Sequence, residues 1–249
     1  MNKKFSSIAG VTLVELLIGI VISMIMMAAM FTSYQAVNNS YSQVIDRAKI
    51  SQTGRNIVGM IVKDIRLAGF RYFDDTSKSP TNYVPILITK ATGSGCDKID
   101  IMYSDKRVKP ASKPKVYIYT TYKITYECKQ SNILDKKTKN KISAFAIYKS
   151  KSKWDGAKWE SPTNSTDDLV YKDEMIVDYV QDFTLIPIDD KGKIIDPTPT
   201  TLANSNKIKV IDILLSVRSQ NIFYKNDKSK TVYSLGQKSN KAFNDKFLR

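Results

Sequence analysis

The sequence predicts an α+β protein in which a long N-terminal, membrane-spanning helix packs on an antiparallel β-sheet domain. Residues 11–31 are almost wholly apolar, and apolar residues recur at spacings of three and four as far as Ala68. Most of the later apolar runs are rich in β-branched and aromatic residues, as strands are. With 249 residues and 42% hydrophobic content, the chain is long enough for one sizeable domain besides a membrane segment.

Residues 1–10 form a short polar leader before the apolar run. Lys3 and Lys4 supply its charge, and it contains no acidic residue. Positive residues are retained on the cytoplasmic side of a membrane. We therefore expect a single-pass chain with a cytoplasmic N-terminus and its folded head on the other side.

Residues 11–31 are long enough to cross a bilayer as a helix, because about 21 residues span roughly 31 Å. A secretory signal fits less well, since its apolar region is shorter and ends at a small-residue cleavage site. A plain signal anchor fits the length but leaves Glu15 unexplained. A carboxylate in an apolar segment costs about 2–3 kcal/mol. Glu15 therefore either reaches towards the membrane surface or has a partner.

Residues 10–18, which read GVTLVELLI, resemble the signature of type IV prepilins. The resemblance implies that a prepilin peptidase cleaves the chain between Gly10 and Val11 and then N-methylates Val11. It also implies that Glu15 is an assembly carboxylate, which pairs with the terminal amine of a neighbouring pilin in a filament. Val11 departs from the family pattern, in which phenylalanine is usual.

Residues 32–69 continue the helical pattern beyond the membrane segment. Their apolar stripe predicts packing against the folded domain, and Gly69 stands where a glycine commonly ends a helix. We expect one helix from Val11 to about Ala68, with a kink near Gly54 or Gly59.

Residues 64–70, which read DIRLAGF, resemble the helix end of PilW-type minor pilins, and residues 210–219 resemble a late strand of the same proteins. The resemblance implies a minor pilin of a type IV pilus. Its partners would be major and minor pilins and the pilus assembly machinery. It would reside in the bacterial inner membrane with a periplasmic head, and later in the pilus filament or at the cell surface. A GspJ-like pseudopilin of type II secretion is the alternative. The charges of Asp64 and Arg66 are interpreted either as solvated or as tying the helix end to the next loop.

Residues 70–249 are expected to form the β-rich head. Strands are predicted at residues 98–103, 115–128, 142–148 and 207–218, a polar hairpin at 151–168, and a helical turn leading into a strand at 175–186. In the last of the predicted strands, alternation places Ile208, Val210 and Leu214 on one face. PilW-type proteins usually continue into a final strand, whereas this chain stops at Arg249, so either this member ends early or the sequence is truncated. If the strand is missing, the sheet would present an edge that another subunit could complete.

Cys96 and Cys128 both fall in the head, on the side of the membrane where disulfides form. A bridge between them would stabilise the fold by roughly 3–4 kcal/mol through the entropy of the unfolded chain. Two free, buried thiols are the alternative.

Histidine is absent from the sequence, which excludes Ser-His-Asp and Cys-His catalysis and every histidine-containing metal site. Asp74 with Asp75, and Asp189 with Asp190, lack the ligand spacing of a calcium loop. We therefore predict no enzyme activity, no cofactor and no metal.

The net charge of +15 comes mostly from lysines that are spread along the chain, which favours a solvated surface. DNA binding or an adhesive role is the remaining alternative, because aromatic residues alternate with lysines in two places. The aromatic candidates are Trp154, Tyr117, Tyr119, Tyr122 and Tyr126.

Overall fold

The computed structural model describes residues 10–75, 78–80, 83–91, 96–109, 114–134, 140–142, 144–160, 169–195, 205–220, 226–232, 241–245 and 247. The leader lysines Lys3 and Lys4 and the chain end at Arg249 lie outside these residues. The elements are α1 (Leu13–Ile65), β1 (Ile86–Thr89), β2 (Lys98–Val108), β3 (Tyr117–Gln130), β4 (Phe145–Trp154), β5 (Trp159–Glu160), β6 (Tyr171–Ile188), β7 (Val210–Val217), β8 (Lys228–Val232) and β9 (Lys241–Asp245).

The chain divides into two compact units between Asp46 and Arg47. Residues 10–46 form the N-terminal unit, which is helical from Leu13 onwards. Its apolar side chains from Val11 to Phe31 are largely exposed. The most apolar 18-residue stretch of α1 has a mean hydropathy of 2.5, and none of its residues is buried. This helix is long and apolar enough to serve as a membrane anchor.

The second unit begins at Arg47 and is called the head below, so it includes the late part of α1. It is built on a seven-stranded sheet with the order β1-β2-β3-β4-β6-β7, in which β5 pairs with β4. Neighbouring strands all run antiparallel. Strands β8 and β9 pair separately as a two-stranded sheet. The α+β class, with a long helix and an antiparallel sheet domain, is therefore confirmed.

The core of the head lies between the last turns of α1 and one face of the sheet. Ile57 and Ile61 supply the helix side of this core. The sheet side consists of alternate residues of β2 and β3 together with buried residues of β1, β4 and β6: Ile88, Ile99, Ile101, Tyr103, Tyr122, Ile124, Tyr126, Cys128, Ile147, Val177, Val180, Phe183 and Leu185. The predicted packing of the late helical stripe on the sheet is correct within the head.

Helix α1 ends close to the predicted position. Regular helix stops at Ile65, and turns continue to Gly69, whose φ is +74°. That left-handed conformation is easily adopted only by glycine, and here it turns the chain towards the sheet. Gly69 N–H donates to the carbonyl of Met102 at 2.8 Å, and Ser104 N–H donates to the carbonyl of Phe70 at 2.8 Å.

The helical turn predicted near residue 175 is wrong, because β6 is extended over its whole length from Tyr171 to Ile188. Asp173 and Tyr179 have φ of +55°, and the register with the neighbouring strands shifts nearby. Such bulges insert extra residues into a strand. Core residues consequently recur every third position at Val177, Val180 and Phe183, a spacing that imitates a helix.

The four predicted strands correspond to β2, β3, β4 and β7, and β4 also extends into the residues predicted as a polar hairpin. In β7 the side chains packed on the core are Ile211, Ile213, Leu215 and Val217. Val210 and Leu214 share the other face, as predicted, and Val210 is exposed.

Candidate functional site

The start of α1 brings the predicted processing and assembly residues together in one short stretch. Gly10 and Val11 precede the helix and are exposed, and a side chain at Gly10 would meet no atom within 4 Å. The peptide bond between these two residues is therefore open to another protein.

Thr12 is the N-cap of α1. Its Oγ1 accepts a hydrogen bond from Glu15 N–H at 3.3 Å, and its carbonyl accepts one from Leu16 N–H at 3.2 Å. This is the Thr side of a capping box, whose signature T-x-x-E is visible in residues 12–15. Thr12 was not among the residues predicted from the sequence, although its T-x-x-E signature is a recognisable signal. The cap fixes Glu15 in the first helical turn, where the helix dipole favours a negative charge.

Glu15 projects from a helix surface that is otherwise apolar. Its neighbours Leu13, Val14 and Leu16 are all largely exposed. Among the described residues, no lysine or arginine forms an ion pair with the Glu15 carboxylate. The arrangement is a single carboxylate at one end of a lipid-compatible helix.

A second carboxylate of α1, Asp64, is buried in the head. Its Oδ2 lies 2.8 Å from Lys149 Nζ of β4 and accepts a 2.5 Å hydrogen bond from the hydroxyl of Tyr126 in β3. Asp64 therefore ties the helix to two central strands of the sheet. It is neither solvated nor bonded to the following loop, so both interpretations offered for it were wrong. Arg66 is exposed, as the solvated interpretation expected.

The position of Asp64 follows from helical spacing. Ile57, Ile61 and Asp64 stand four and three residues apart, so they share the face that packs on the sheet. Asp64 continues the apolar stripe at helical spacing, so the sequence already places this acidic residue on the buried face. Burial and the hydrogen bond to Asp64 raise the pKa of Tyr126 well above its usual value of 10.0.

Cys96 and Cys128 form a disulfide, with Cα atoms 5.1 Å apart. The bridge lies beside Asp97, whose N–H donates to the carbonyl of Phe183 at 2.8 Å. The buried Asp97 carboxylate accepts hydrogen bonds from Ala91 N–H, Leu185 N–H and Lys90 Nζ, at 3.0, 2.9 and 2.9 Å. The bridge and this carboxylate together hold the start of β2 against β3 and β6.

One aspartate of each acidic pair considered as a calcium site has other partners. Asp189 Oδ1 accepts hydrogen bonds from the backbone N–H groups of Lys191 and Lys193, at 2.9 and 2.7 Å. Asp74 contacts Lys106 Nζ at 3.1 Å and also accepts a hydrogen bond from Tyr119, and both contacts lower the pKa of Asp74. Within the described residues, no cluster of three or more metal-ligating side chains occurs.

The aromatic residues weighed for DNA binding do not form one surface. Tyr122 and Tyr126 are fully buried in the core on the α1 side of the sheet. Tyr117 and Tyr119 occupy alternate positions of β3 that point to the other face, and Tyr117 is exposed. Tyr117 and Tyr119 therefore lie on a different face of the sheet from Tyr122 and Tyr126.

Comparison of the chain with protein-family models, with characterised proteins and with solved structures finds no significant match. The function proposed below is therefore based on the geometry of the described residues.

Proposed function

We propose that this protein is a membrane-anchored subunit of a type IV pilin-type filament, of the minor pilin kind. The observation that carries the proposal is the start of α1. There an exposed Gly10–Val11 bond leads directly into an exposed apolar helix that contains one carboxylate in its first turn.

Processing would create a cationic partner for the Glu15 carboxylate. Hydrolysis of the Gly10–Val11 bond releases the leader and leaves a positively charged amine on Val11, within one helical turn of Glu15. When two such helices pack side by side, the amine of one subunit can neutralise the carboxylate of its neighbour. Because an unpaired charge is costly in lipid, this exchange favours association of the subunits.

The rest of the fold supports the same role. The apolar surface of the N-terminal unit suits a membrane before assembly and the interior of a filament after it. Asp64 and the core of the head fix the late part of α1 to the sheet, so that a force applied to the helix would be transmitted to the folded domain.

A pseudopilin of type II secretion would use the same site at the helix start. Deletion of the gene distinguishes the two systems. Loss of surface pili or twitching indicates the pilus, whereas loss of protein secretion with intact pili indicates the secretion system.

The first prediction concerns Glu15→Ala. The variant should insert into the membrane at the normal level, because removing a carboxylate lowers the cost of insertion. Its incorporation into sheared filaments should fall at least about tenfold, since the partner amine would then stay unpaired in an apolar setting. Immunoblots of membrane and filament fractions measure both quantities.

Asp46→Ala is the matched control, since it removes a carboxylate of the same helix outside the apolar segment. It should assemble normally. Normal filament incorporation of Glu15→Ala would contradict the assembly role of this carboxylate.

A further inference from the structure

An open cleft lies on the head where the middle of β3 meets the turn between β4 and β5. Its volume is about 540 Å³, within the range of small-ligand sites. Tyr119 and Thr120 form one wall, Trp154 and Asp155 form the other, and Lys78 lies at the edge. None of these residues takes part in the function proposed above.

The aromatic walls of the cleft are held in place. Trp154 and Trp159 pack edge to face with ring centroids 5.2 Å apart, and Lys123 Nζ lies 4.7 Å from the Trp159 ring. On the opposite wall, Tyr119 packs against Tyr72 at 5.9 Å and donates a hydrogen bond to Asp74. Fixed aromatic surfaces can bind a ligand ring at little entropic cost.

The turn that carries Asp155 is also fixed. Asp155 Oδ1 accepts hydrogen bonds from Ala157 N–H and Lys158 N–H, each at 2.7 Å, and these bonds lower the pKa of the carboxyl group. Gly156 has a φ of +106°, which side-chain-bearing residues rarely adopt, and the Lys78 side chain lies over it. The carboxylate is therefore ionised and held at the rim of the cleft.

Two polar groups at the cleft have no hydrogen-bond partner among the described residues. They are the second carboxylate oxygen of Asp155 and the indole N–H of Trp154. The Asp155 oxygen belongs to an exposed residue and can accept a hydrogen bond from a ligand, whereas the Trp154 N–H is buried. Lys78 supplies one further donor at the edge.

We infer that this cleft binds an oligosaccharide. A pyranose ring offers an apolar C–H face, which stacks on tryptophan or tyrosine, and hydroxyls, which can donate to Asp155 and accept from Lys78. Among the described residues, the lining carries one cation, Lys78, and one anion, Asp155, and this balance suits a neutral ligand. A nucleic acid fits less well, because its phosphates would approach the ionised carboxylate.

The chain contains two tryptophans: Trp154 lines the cleft and Trp159 packs against Trp154, so intrinsic fluorescence reports on the cleft. The full chain is titrated in zwitterionic micelles, because detergents with sugar headgroups would compete. The probes are maltotetraose, cellotetraose, chitotetraose and, for the other ligand class, an oligothymidylate. We expect a saturable change in emission with at least one tetrasaccharide, with a Kd of roughly 1 mM or below.

Asp155→Asn keeps the acceptor for the turn but removes the charge, and should weaken saccharide binding about tenfold, as expected for loss of a charge-assisted hydrogen bond. Asp189→Asn is the matched control, because Asp189 caps its own turn in the same way away from the cleft, and it should bind normally. The proposal is overturned if no tetrasaccharide gives a saturable change, if oligothymidylate alone does, or if Asp155→Asn binds as tightly as the control. These results are independent of filament assembly, so the two proposals fail separately.

Discussion

At the residue scale, the carboxylates of Asp64 and Glu15, both in α1, have opposite environments. Asp64 is buried and finds its partners within the chain, Lys149 and Tyr126. Glu15 is exposed on an apolar helix and has no such partner among the described residues. A buried charge is tolerated only when it is paired, so Lys149 and Tyr126 offset the cost of burying Asp64. Under the proposed function, the terminal amine of a neighbouring subunit would supply the partner of Glu15 in lipid.

The hydroxyl of Tyr126 makes the stability of the head sensitive to alkaline pH. Below about pH 10 this phenol is neutral in both the folded and the unfolded chain. As the pH rises further, the unfolded chain loses the proton first, because burial and Asp64 raise the pKa of Tyr126 in the folded state. The free energy of unfolding should therefore fall above about pH 10.

Tyr126→Phe should flatten this alkaline decline relative to the unmodified protein, although it lowers stability near neutral pH by about 1–3 kcal/mol through the lost hydrogen bond. Denaturant titrations between about pH 9 and pH 11 measure the two slopes. Tyr34→Phe, on the exposed part of α1, should leave the slope unchanged. Equal slopes for Tyr126→Phe and the unmodified protein would contradict this explanation.

At the element scale, the attachment of α1 to the sheet depends on Asp64 as well as on Ile57 and Ile61. Asp64→Ala leaves Lys149 and the Tyr126 hydroxyl without their buried acceptor. Breaking a buried pair in this way should lower the free energy of unfolding of the head by about 3 kcal/mol. Denaturant unfolding of the full chain in micelles, followed by the emission of Trp154 and Trp159, measures this change.

Asp190→Ala is the control for this experiment, since Asp190 is exposed, and it should change stability by less than about 0.5 kcal/mol. A loss no larger than that for Asp64→Ala would show that apolar packing alone holds the helix on the sheet.

The elements themselves differ in how well the sequence predicts them. The long helix and the strands β2, β3 and β7 follow directly from the period of their apolar residues, because that period reflects which face is buried. Strand β6 was partly mistaken because its bulges near Asp173 and Tyr179 change the spacing of core residues from two to three. A β-bulge depends on how a strand pairs with its neighbours, and the sequence of one strand does not show that pairing.

At the scale of the whole molecule, the local sites were predictable and the assembled ones were not. Glu15 stands out in the sequence because a charge interrupts an apolar run. The Asp64, Lys149 and Tyr126 cluster joins three elements distant in sequence, and the cleft near Trp154 does the same. Only the sheet order and register bring these side chains together.

The two compact units have different chemical surfaces, which fits a protein that is anchored first and assembled later. The N-terminal unit exposes apolar side chains along its helix, whereas the head encloses its own core and a disulfide. The proposal that joins them is processing at Gly10, which converts an anchor into an assembly helix.

Mass spectrometry of the N-terminal peptide of the chain, isolated from the membranes of its native cell, tests this processing most directly. The account predicts a peptide that begins at Val11, carries one added methyl group on its amine, and is replaced by the unprocessed chain when the prepilin peptidase is deleted. A chain from the unmodified cell that keeps the leader, or is cut at another bond, would contradict the account.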